Sequence, residues 1–523
     1  MTPRRQRILW VDDEIDMLRP HMLYLEGKGY RVTGVANGPD GLHLVEQEDF
    51  DLVLLDEMMP GMGGLAVLEE LQRLRPGLPV VMITKSEEEH LMNEALGRRI
   101  SDYLIKPVNP SQIFLTCKRI FEARGLERGA TVREYVRQFG AAQETPLGDW
   151  GWREWAAEAL STARWDLALD AVAEAHLRES FDARLLELNR AFGRFVAGRY
   201  ADWIGAKAES RPLLSPQLLP QKLVPFLHAG RRAALIVIDC LRLDQWLLLE
   251  ELLPAAFRCE NDVYYAILPT ATPFARNAIF SGLMPAEIAS RHPELWTDAQ
   301  ADEIGRNRFE RELLRELLRR EGLGARRFQY AKVTSRADAE ELLRQAGSYA
   351  DLDLVATVFT FVDTFAHGRS RDALFTEFAQ DAAALRAHLR TWFERSALLD
   401  LLHEMARQER VTIVTTDHGS LAVRRPALVG ADRQVVGGPR FKRGRALTVD
   451  PEAGLLVRDA RAYGLPAGAG AETHLFARED YFFVYHHGRH EHERMLRGSF
   501  QHGGISLEEM VVPVATLTPA ARG

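Results

Sequence analysis

The sequence predicts a multidomain α/β protein: a doubly wound parallel-sheet domain over residues 1–122, a helical connector over 123–225, and a larger α/β/α domain over 226–523. Three observations carry this. The first region alternates short apolar runs with amphipathic stretches. The second loses strand signals and becomes rich in Ala, Leu, Arg and Glu. The third returns to alternation. At roughly 150 residues per domain, a chain this long needs several cores.

Composition narrows the function classes. A net charge of −8 argues against wholesale coating of nucleic acid, although it leaves a local basic groove open. Cys117, Cys240 and Cys259 form no CxxC pair, so neither a disulfide framework nor a thiolate zinc site is expected. The N-terminal MTPRRQRILWVDDE has no signal-peptide core, and no run approaches the ~20 apolar residues of a membrane span. The expectation is a cytoplasmic protein with no membrane partner.

In the first region five strands are expected. Arg7–Val11 ends in Asp12-Asp13-Glu14, Arg31–Ala36 in an Asn37-Gly38 turn, Asp51–Leu55 in Asp56, Leu78–Ile83 in Thr84, and Tyr103–Ile105 in Lys106-Pro107. Helical spacing covers Asp16–Gly27 and Gly38–Glu46. Doubly wound sheets gather function at the carboxyl ends of their strands, and here those ends carry carboxylates, a hydroxyl and a lysine. Clustered carboxylates Asp12, Asp13 and Asp56 suit a hard Mg²⁺ ion. The set Asp12, Asp13, Asp56 in LLDEMMPGMGG, Thr84, Tyr103 and Lys106-Pro107 resembles a two-component response-regulator receiver. The resemblance implies phosphorylation of Asp56 by a sensor histidine kinase, with Thr84, Tyr103 and Lys106 as switch residues and phosphorylation-dependent homodimerisation.

In the second region Val132–Phe139, Trp152–Leu160, Trp165–Arg178, Phe181–Phe195 and Tyr200–Ala208 read as helices punctuated by Gly140, Gly148-Asp149 and Gly198. Trp150, Trp152, Trp155 and Trp165 read as core packing. Arg211–Pro225, rich in proline, reads as an exit linker.

In the third region Ala233–Ile238 is a strand ending in Asp239, Asn261–Leu268 leads to Thr272, and Asp353–Val362 leads to Asp363 and His367. Helix Ser396–Gln408 feeds strand Val411–Thr415, which ends in Asp417-His418. Tyr481–His486 and Met510–Leu517 are late strands, with His502-Gly503-Gly504 between them. Asp239, Asp363, Asp417, His367, His418 and His502 are side chains that zinc binds well. Manganese also accepts mixed Asp/His ligation. Arg276 and Asn277 lie within one helical turn of Thr272, placed to hold a phosphoryl oxygen. The insertion Val423–Thr448 has a basic tip, Arg440–Arg445, where Lys442 and its neighbours suit a polyanion if exposed.

This order of residues resembles the alkaline phosphatase superfamily, and its PglZ-type domain in particular. Together with a receiver and a helical connector it resembles PorX-type response regulators. The resemblance implies two zinc ions, one on Asp363, His367 and His502, the other on Asp239, Asp417 and His418. Thr272 becomes the nucleophile of a phosphodiesterase acting on linear or cyclic oligonucleotides, linked to type IX secretion. Two other readings stand beside it: a docking module for a sigma factor or secretion component, and a phosphomonoesterase.

Overall fold

The computed structural model describes residues 5–84, 100–121, 147–170, 175–205, 210–296, 307–365, 381–431, 435–467, 472–486 and 489–520. The chain divides into two units, Met1–Phe139 and Gly140–Gly523.

The first unit is built on strands β1 (Arg7–Val11), β2 (Arg31–Val35), β3 (Leu52–Asp56), β4 (Val80–Thr84) and β5 (Asp102–Ile105), interleaved with helices α1 (Arg19–Gly27), α2 (Gly38–Gln47) and α3 (Gly64–Leu74). A further helix spans residues 110–121. The sheet order is β2-β1-β3-β4-β5, all parallel. Strands β3 and β4 are buried along their whole length, which explains their uninterrupted Val, Leu, Ile and Met. Asn37 caps α2, its side chain accepting from Asp40 N at 2.9 Å, so the expected turn also starts a helix.

The second unit begins with two long helices, α4 (Trp152–Asp170) and α5 (Ala175–Gly205). Their lengths correct the shorter helices expected here. Gly198 does not break α5, because Phe192, Val196, Tyr200 and Trp203 on either side of it are locked in one core. Packing outweighs the ~1 kcal/mol that glycine costs in a helix. The expected helix Val132–Phe139 lies outside the described residues.

That core is shared. Trp155, Phe192, Tyr200 and Trp203 pack with Tyr265, Leu268, Tyr463 and Phe476 of the following region. Tyr200 Oη accepts from Leu268 N at 2.8 Å, and Tyr265 Oη donates to Trp152 O at 2.6 Å. The segment read as an exit linker is also folded in: Leu214, Leu218, Leu219 and Leu223 are buried. Its leucines, spaced between the prolines, anchor it.

The remaining elements used below are β6 (Ala233–Ile238), α6 (Leu243–Glu250), β7 (Phe257–Tyr265), α7 (Thr272–Ser281), α8 (Glu310–Arg320), β8 (Phe328–Val333), β9 (Leu354–Phe359), α9 (Ala382–Glu394), α10 (Ala397–Arg407), β10 (Val411–Thr415), β11 (Phe441–Gly444), β12 (Thr473–Ala477), α11 (Leu507–Met510) and β13 (Val511–Pro519). The main sheet runs β7-β13-β10-β6-β9-β8. Strand β6 pairs in parallel with β10 on one side and β9 on the other, while β13 runs antiparallel to β10 and β7. The carboxyl ends of β6, β9 and β10 therefore open side by side, where open α/β sheets place their sites. No helix among the described residues is long and apolar enough to cross a membrane.

Candidate active site

In the first unit, the carboxyl ends of β1 and β3 bring Asp12, Asp13 and Asp56 together, with one donor atom from each within 4.8 Å of the others. Asp12 and Asp56 are buried and Asp13 is exposed. Lys106 Nζ, just beyond β5, lies 3.1 Å from both Asp12 Oδ2 and Asp56 Oδ2. Burial pushes Asp56 above its ordinary carboxylate value; Lys106 opposes this, and Asp12 and Asp13 reinforce it. Burial also works against the charge of Lys106, but Asp56 and Asp12 outweigh it and raise the amine. Asp56 Oδ1 accepts no hydrogen bond among the described residues. A Cβ on Gly64 would stand 2.2 Å from Asp56 O, so glycine is required for α3 to start this close to Asp56. Thr84 is buried at the end of β4, and Tyr103 is 38% exposed on β5. Excess carboxylate with an open oxygen fits a dication of the Mg²⁺ type.

In the second unit, β6 ends on Asp239. Cys240 then takes φ +64°, turning the chain so that its N–H donates to Asp417 Oδ1 at 3.3 Å. Leu241 N donates to Thr416 Oγ1 at 2.9 Å, tying the loop after β6 to the loop after β10. Asp239, Asp417 and His418 are buried and offer one donor atom each within 4.8 Å. Thr272 begins α7, and its Oγ1 lies 3.0 Å from His418 Nε2 and 3.4 Å from Asp239 Oδ1. His418 Nδ1 lies 3.1 Å from Gly419 O, and His502 Nδ1 lies 3.1 Å from Thr270 O. In each ring the carbonyl engages Nδ1 as donor and leaves the Nε2 lone pair facing the site, the usual arrangement of a metal-binding imidazole. His502 Nε2 is 3.6 Å from Asp363 Oδ1, and the His418 and His502 rings stack at 4.1 Å between centroids. The two expected ligand groups are thus adjacent. His367 lies outside the described residues. Asp363 follows β9 in a helical turn over residues 361–365, where a continuous strand to Val362 was expected.

The electrostatics describe a site short of positive charge. Burial drives Asp239 well above the carboxylate range; Arg276 opposes this, and Asp417 and Asp363 add to it. Burial works on Asp417 in the same direction, but His418 in its protonated form, Arg276 and the Cys240 N–H outweigh it and hold it below its ordinary value. Burial pushes His418 down to about 4, so the ring is neutral at physiological pH. Asp417 Oδ2 accepts no hydrogen bond among the described residues. Buried carboxylates, an oriented neutral imidazole and an open oxygen fit a dication of the zinc type.

The residues expected to bind substrate are distributed unevenly. Arg276 is in the cluster: Nη1 lies 2.6 Å from Asp239 Oδ2 and 3.7 Å from Asp417 Oδ2, while Nε donates to Glu310 Oε1 at 2.5 Å. Asn277 turns back to donate to Pro273 O at 2.9 Å, and its Oδ1 accepts from Asn307 Nδ2 at 3.4 Å. The expected basic tip is only partly exposed: Arg445 faces water, Lys442 and Arg443 are half-buried, and Arg440 is withdrawn from it. Arg440 is fully buried, paired with Glu509 at 2.7 Å, and Phe441 packs its ring on Phe274, His474 and Phe476. The segment is a paired strand, β11 against β12, rather than a loop. Lys442, on the opposite face from Phe441, lies over the Tyr485 ring at 5.1 Å, and burial lowers its amine to about 8.

One group had no sequence signal. Glu310, at the start of α8, is buried and takes Arg276, the Tyr330 hydroxyl, and Lys332 at 3.3 Å. In sequence it is one more acidic residue in the charged run that begins this helix.

Residues 218–517, more than half of the 523, match the BREX system PglZ alkaline phosphatase-like domain. The chain belongs to the PglZ family. Residues 8–118 match the response regulator receiver domain, and residues 126–204 the PorX response regulator linker domain. The molecule is therefore a PorX-type response regulator: a receiver, a PorX linker and a PglZ domain. Among curated relatives, the transcriptional regulatory protein ZraR of Klebsiella oxytoca is 33% identical over 146 residues, 28% of this chain and 33% of that protein. The transcriptional regulatory protein ResD of Bacillus subtilis (strain 168) is 32% identical over 114 residues, 22% of this chain and 47% of that protein. The chain thus spans a third to about half the length of these relatives. Among solved structures, a CheY-like receiver domain protein from Methanospirillum hungatei JF-1 is 34% identical, covering 23% of this chain and 96% of that one with a TM-score of 0.22. The receiver domain of NtrX from Brucella abortus is 30% identical, covering 22% and 98% with a TM-score of 0.21.

Proposed function

We propose that the PglZ domain is a zinc-dependent phosphodiesterase with Thr272 as nucleophile, and that phosphorylation of Asp56 by a sensor histidine kinase regulates it. The observation that carries this reading is Thr272 Oγ1, held 3.0 Å from His418 Nε2 and 3.4 Å from Asp239 Oδ1 at a buried, negatively charged cluster. Asp239, Asp417 and His418 would hold one ion, and Asp363 and His502, with His367, the second. Bound there, the ions supply positive charge that lowers the hydroxyl pKa and neutralises the phosphoryl oxygens. Thr272 Oγ attacks phosphorus in line with the leaving alcohol, the P–O bond to that alcohol breaks, and water then cleaves the phosphothreonine. In the receiver, Asp12, Asp13 and Asp56 would hold Mg²⁺, and Lys106 steadies the phosphoryl group that Asp56 accepts.

A diester is favoured over a monoester because Arg276 is already engaged by Asp239 and Glu310. Little cationic capacity remains there for the second charge of a monoester dianion. The oligonucleotide assignment and the link to type IX secretion rest on the PorX and PglZ memberships, since Arg440 is withdrawn from the basic tip into a buried ion pair. Phosphorylation-dependent dimerisation rests on the receiver. It predicts a doubled mass by light scattering with an acyl-phosphate mimic on Asp56.

The test of the enzyme is turnover of bis-p-nitrophenyl phosphate against p-nitrophenyl phosphate, with metal analysis, for the full chain and Thr272→Ala. Faster diester cleavage that disappears in the variant supports the reading. Faster monoester cleavage makes the protein a phosphomonoesterase. Metal bound without turnover leaves the docking module.

A further inference from the structure

The linker helices do more than adhere to the PglZ domain. Their apolar side, with Trp155, Phe192 and Trp203, packs into the shared core. Two of their polar residues are aimed elsewhere, at the loops that carry the candidate metal ligands.

The first is Asp166 on α4, which is buried. Its Oδ2 takes Arg386 Nη1 at 2.8 Å and Arg242 Nη2 at 3.4 Å. Arg242 stands three residues after Asp239 and is paired by Nε with Asp244 Oδ1 at 2.8 Å. Arg386, on α9, closes the ring through Asp244 Oδ2 at 2.6 Å and Asp170 Oδ1 at 2.6 Å. Arg178 binds Asp166 from the other side at 2.5 Å. Three carboxylates and three guanidinium groups balance, so removing one leaves a buried charge without its partner.

The second is Asn189 on α5, also buried. Its Nδ2 donates to Glu508 Oε2 at 2.9 Å, and its Oδ1 accepts from Leu507 N at 2.7 Å. One amide thus grips the first two residues of α11, which begins five residues after His502. The two grips converge at Gly419, next to His418. A Cβ there would stand 1.9 Å from Glu508 O and 3.6 Å from Arg242 Cγ, and Gly419 N donates to Glu509 O at 3.1 Å. The residue after His418 is therefore enclosed by the two side chains' own segments.

We infer that Asp166 and Asn189 are positioning residues: acting through Arg242 and through Leu507-Glu508, they set where the loops bearing Asp239, His418 and His502 stand. The linker is then part of the metal centre's scaffold. This rests on the metal-site reading proposed above. An ångström-scale shift of a reacting group costs on the order of 100-fold in rate, and loss of groups that orient metal ligands weakens binding by about 10- to 100-fold.

The test uses the full chain, metal-stripped and titrated with Co²⁺, with visible absorption followed alongside kcat and KM for bis-p-nitrophenyl phosphate. The variants are Asp166→Asn and Asn189→Asp, both nearly isosteric; the second keeps the acceptor for Leu507 N and loses the donor to Glu508. Phe192→Leu is the control, loosening the same helices at their apolar core. The expected result for both polar variants is an altered Co²⁺ spectrum, affinity weaker by about 10-fold, and kcat lowered by about 10-fold or more with KM nearly unchanged. Phe192→Leu lowers Tm and leaves spectrum and kcat alone. The inference is overturned if the polar variants lower only Tm, or if Phe192→Leu reproduces their spectral change. Wild-type protein that neither binds Co²⁺ nor turns over diester overturns the metal-site reading itself, an outcome seen before any variant is made.

Discussion

Two clusters of acidic groups sit at the carboxyl ends of parallel strands, one in each unit, and they treat water in opposite ways. In the receiver, Asp13 is exposed, every candidate donor is an oxygen, and the Lys106 amine reaches Asp12 and Asp56. Such a site suits a hard ion that keeps part of its hydration shell and exchanges. In the PglZ domain, Asp239, Asp417 and His418 are all buried, one donor is nitrogen, and the nearby Arg276 is engaged by Glu310. That site suits a dehydrated ion held by protein ligands. The same sheet geometry thus suits a partly hydrated hard ion in one unit and a dehydrated ion in the other, depending on burial and on one imidazole.

The largest effect should come from Thr272→Ala. Loss of the nucleophile should lower diester turnover by about 10³-fold or more. Labelling of Asp56 by acetyl phosphate, followed by phosphate-affinity electrophoresis, should continue. If labelling fails as well, the two clusters are not chemically separate and the contrast breaks. Asp417→Asn or His418→Ala should come next, with bound zinc falling in elemental analysis and affinity weaker by at least about 100-fold. Zinc retained at full stoichiometry would place the ion elsewhere. Asp56→Asn sharpens the other side. It should abolish acetyl-phosphate labelling and the accompanying change of mass by light scattering, while the zinc content stays at the wild-type level.

How much of this was legible depends on how far each residue's partner lies along the chain. Val411–Thr415 forms the expected strand because a β-branched run between two neighbouring strands is specified by its own burial. Asp239, Asp417 and His418 could be grouped for a related reason: they follow β6 and β10, and the ends of neighbouring parallel strands meet wherever the loops run. Arg440 was misread because its partner Glu509 lies 69 residues away, so a buried ion pair looked like an exposed basic tip. Glu310 carried no signal because Arg276, its partner, lies 34 residues earlier. Arg386 and Asp166 are 220 residues apart, and neither sequence neighbourhood hints at the other. Charged residues look alike in sequence whether water or a distant counter-ion satisfies them.

The smallest expected effect isolates a contribution that would otherwise be credited to the buried cluster. His474, on β12, is buried with its Nδ1 free of hydrogen bonds among the described residues, and burial, with Arg443 nearby, pushes it from 6.5 down to about 4. As pH falls through 6.5 the unfolded chain takes up a proton at this ring and the folded chain does not. The stability that a neutral His474 permits is therefore complete above pH 6.5 and declines toward pH 4, by at most about 1.4 kcal/mol per pH unit. Replacing it by His474→Phe should flatten that slope in urea denaturation of the metal-free chain between pH 7 and about pH 5, with the PglZ-domain transition followed by tryptophan fluorescence. A slope that persists unchanged would assign the acid sensitivity to His418, whose imidazole is pushed down to the same value. Zinc on His418 would keep that ring unprotonated in the folded chain at still lower pH and so carry a His418 slope below pH 4, whereas a slope due to His474 would level off there as before.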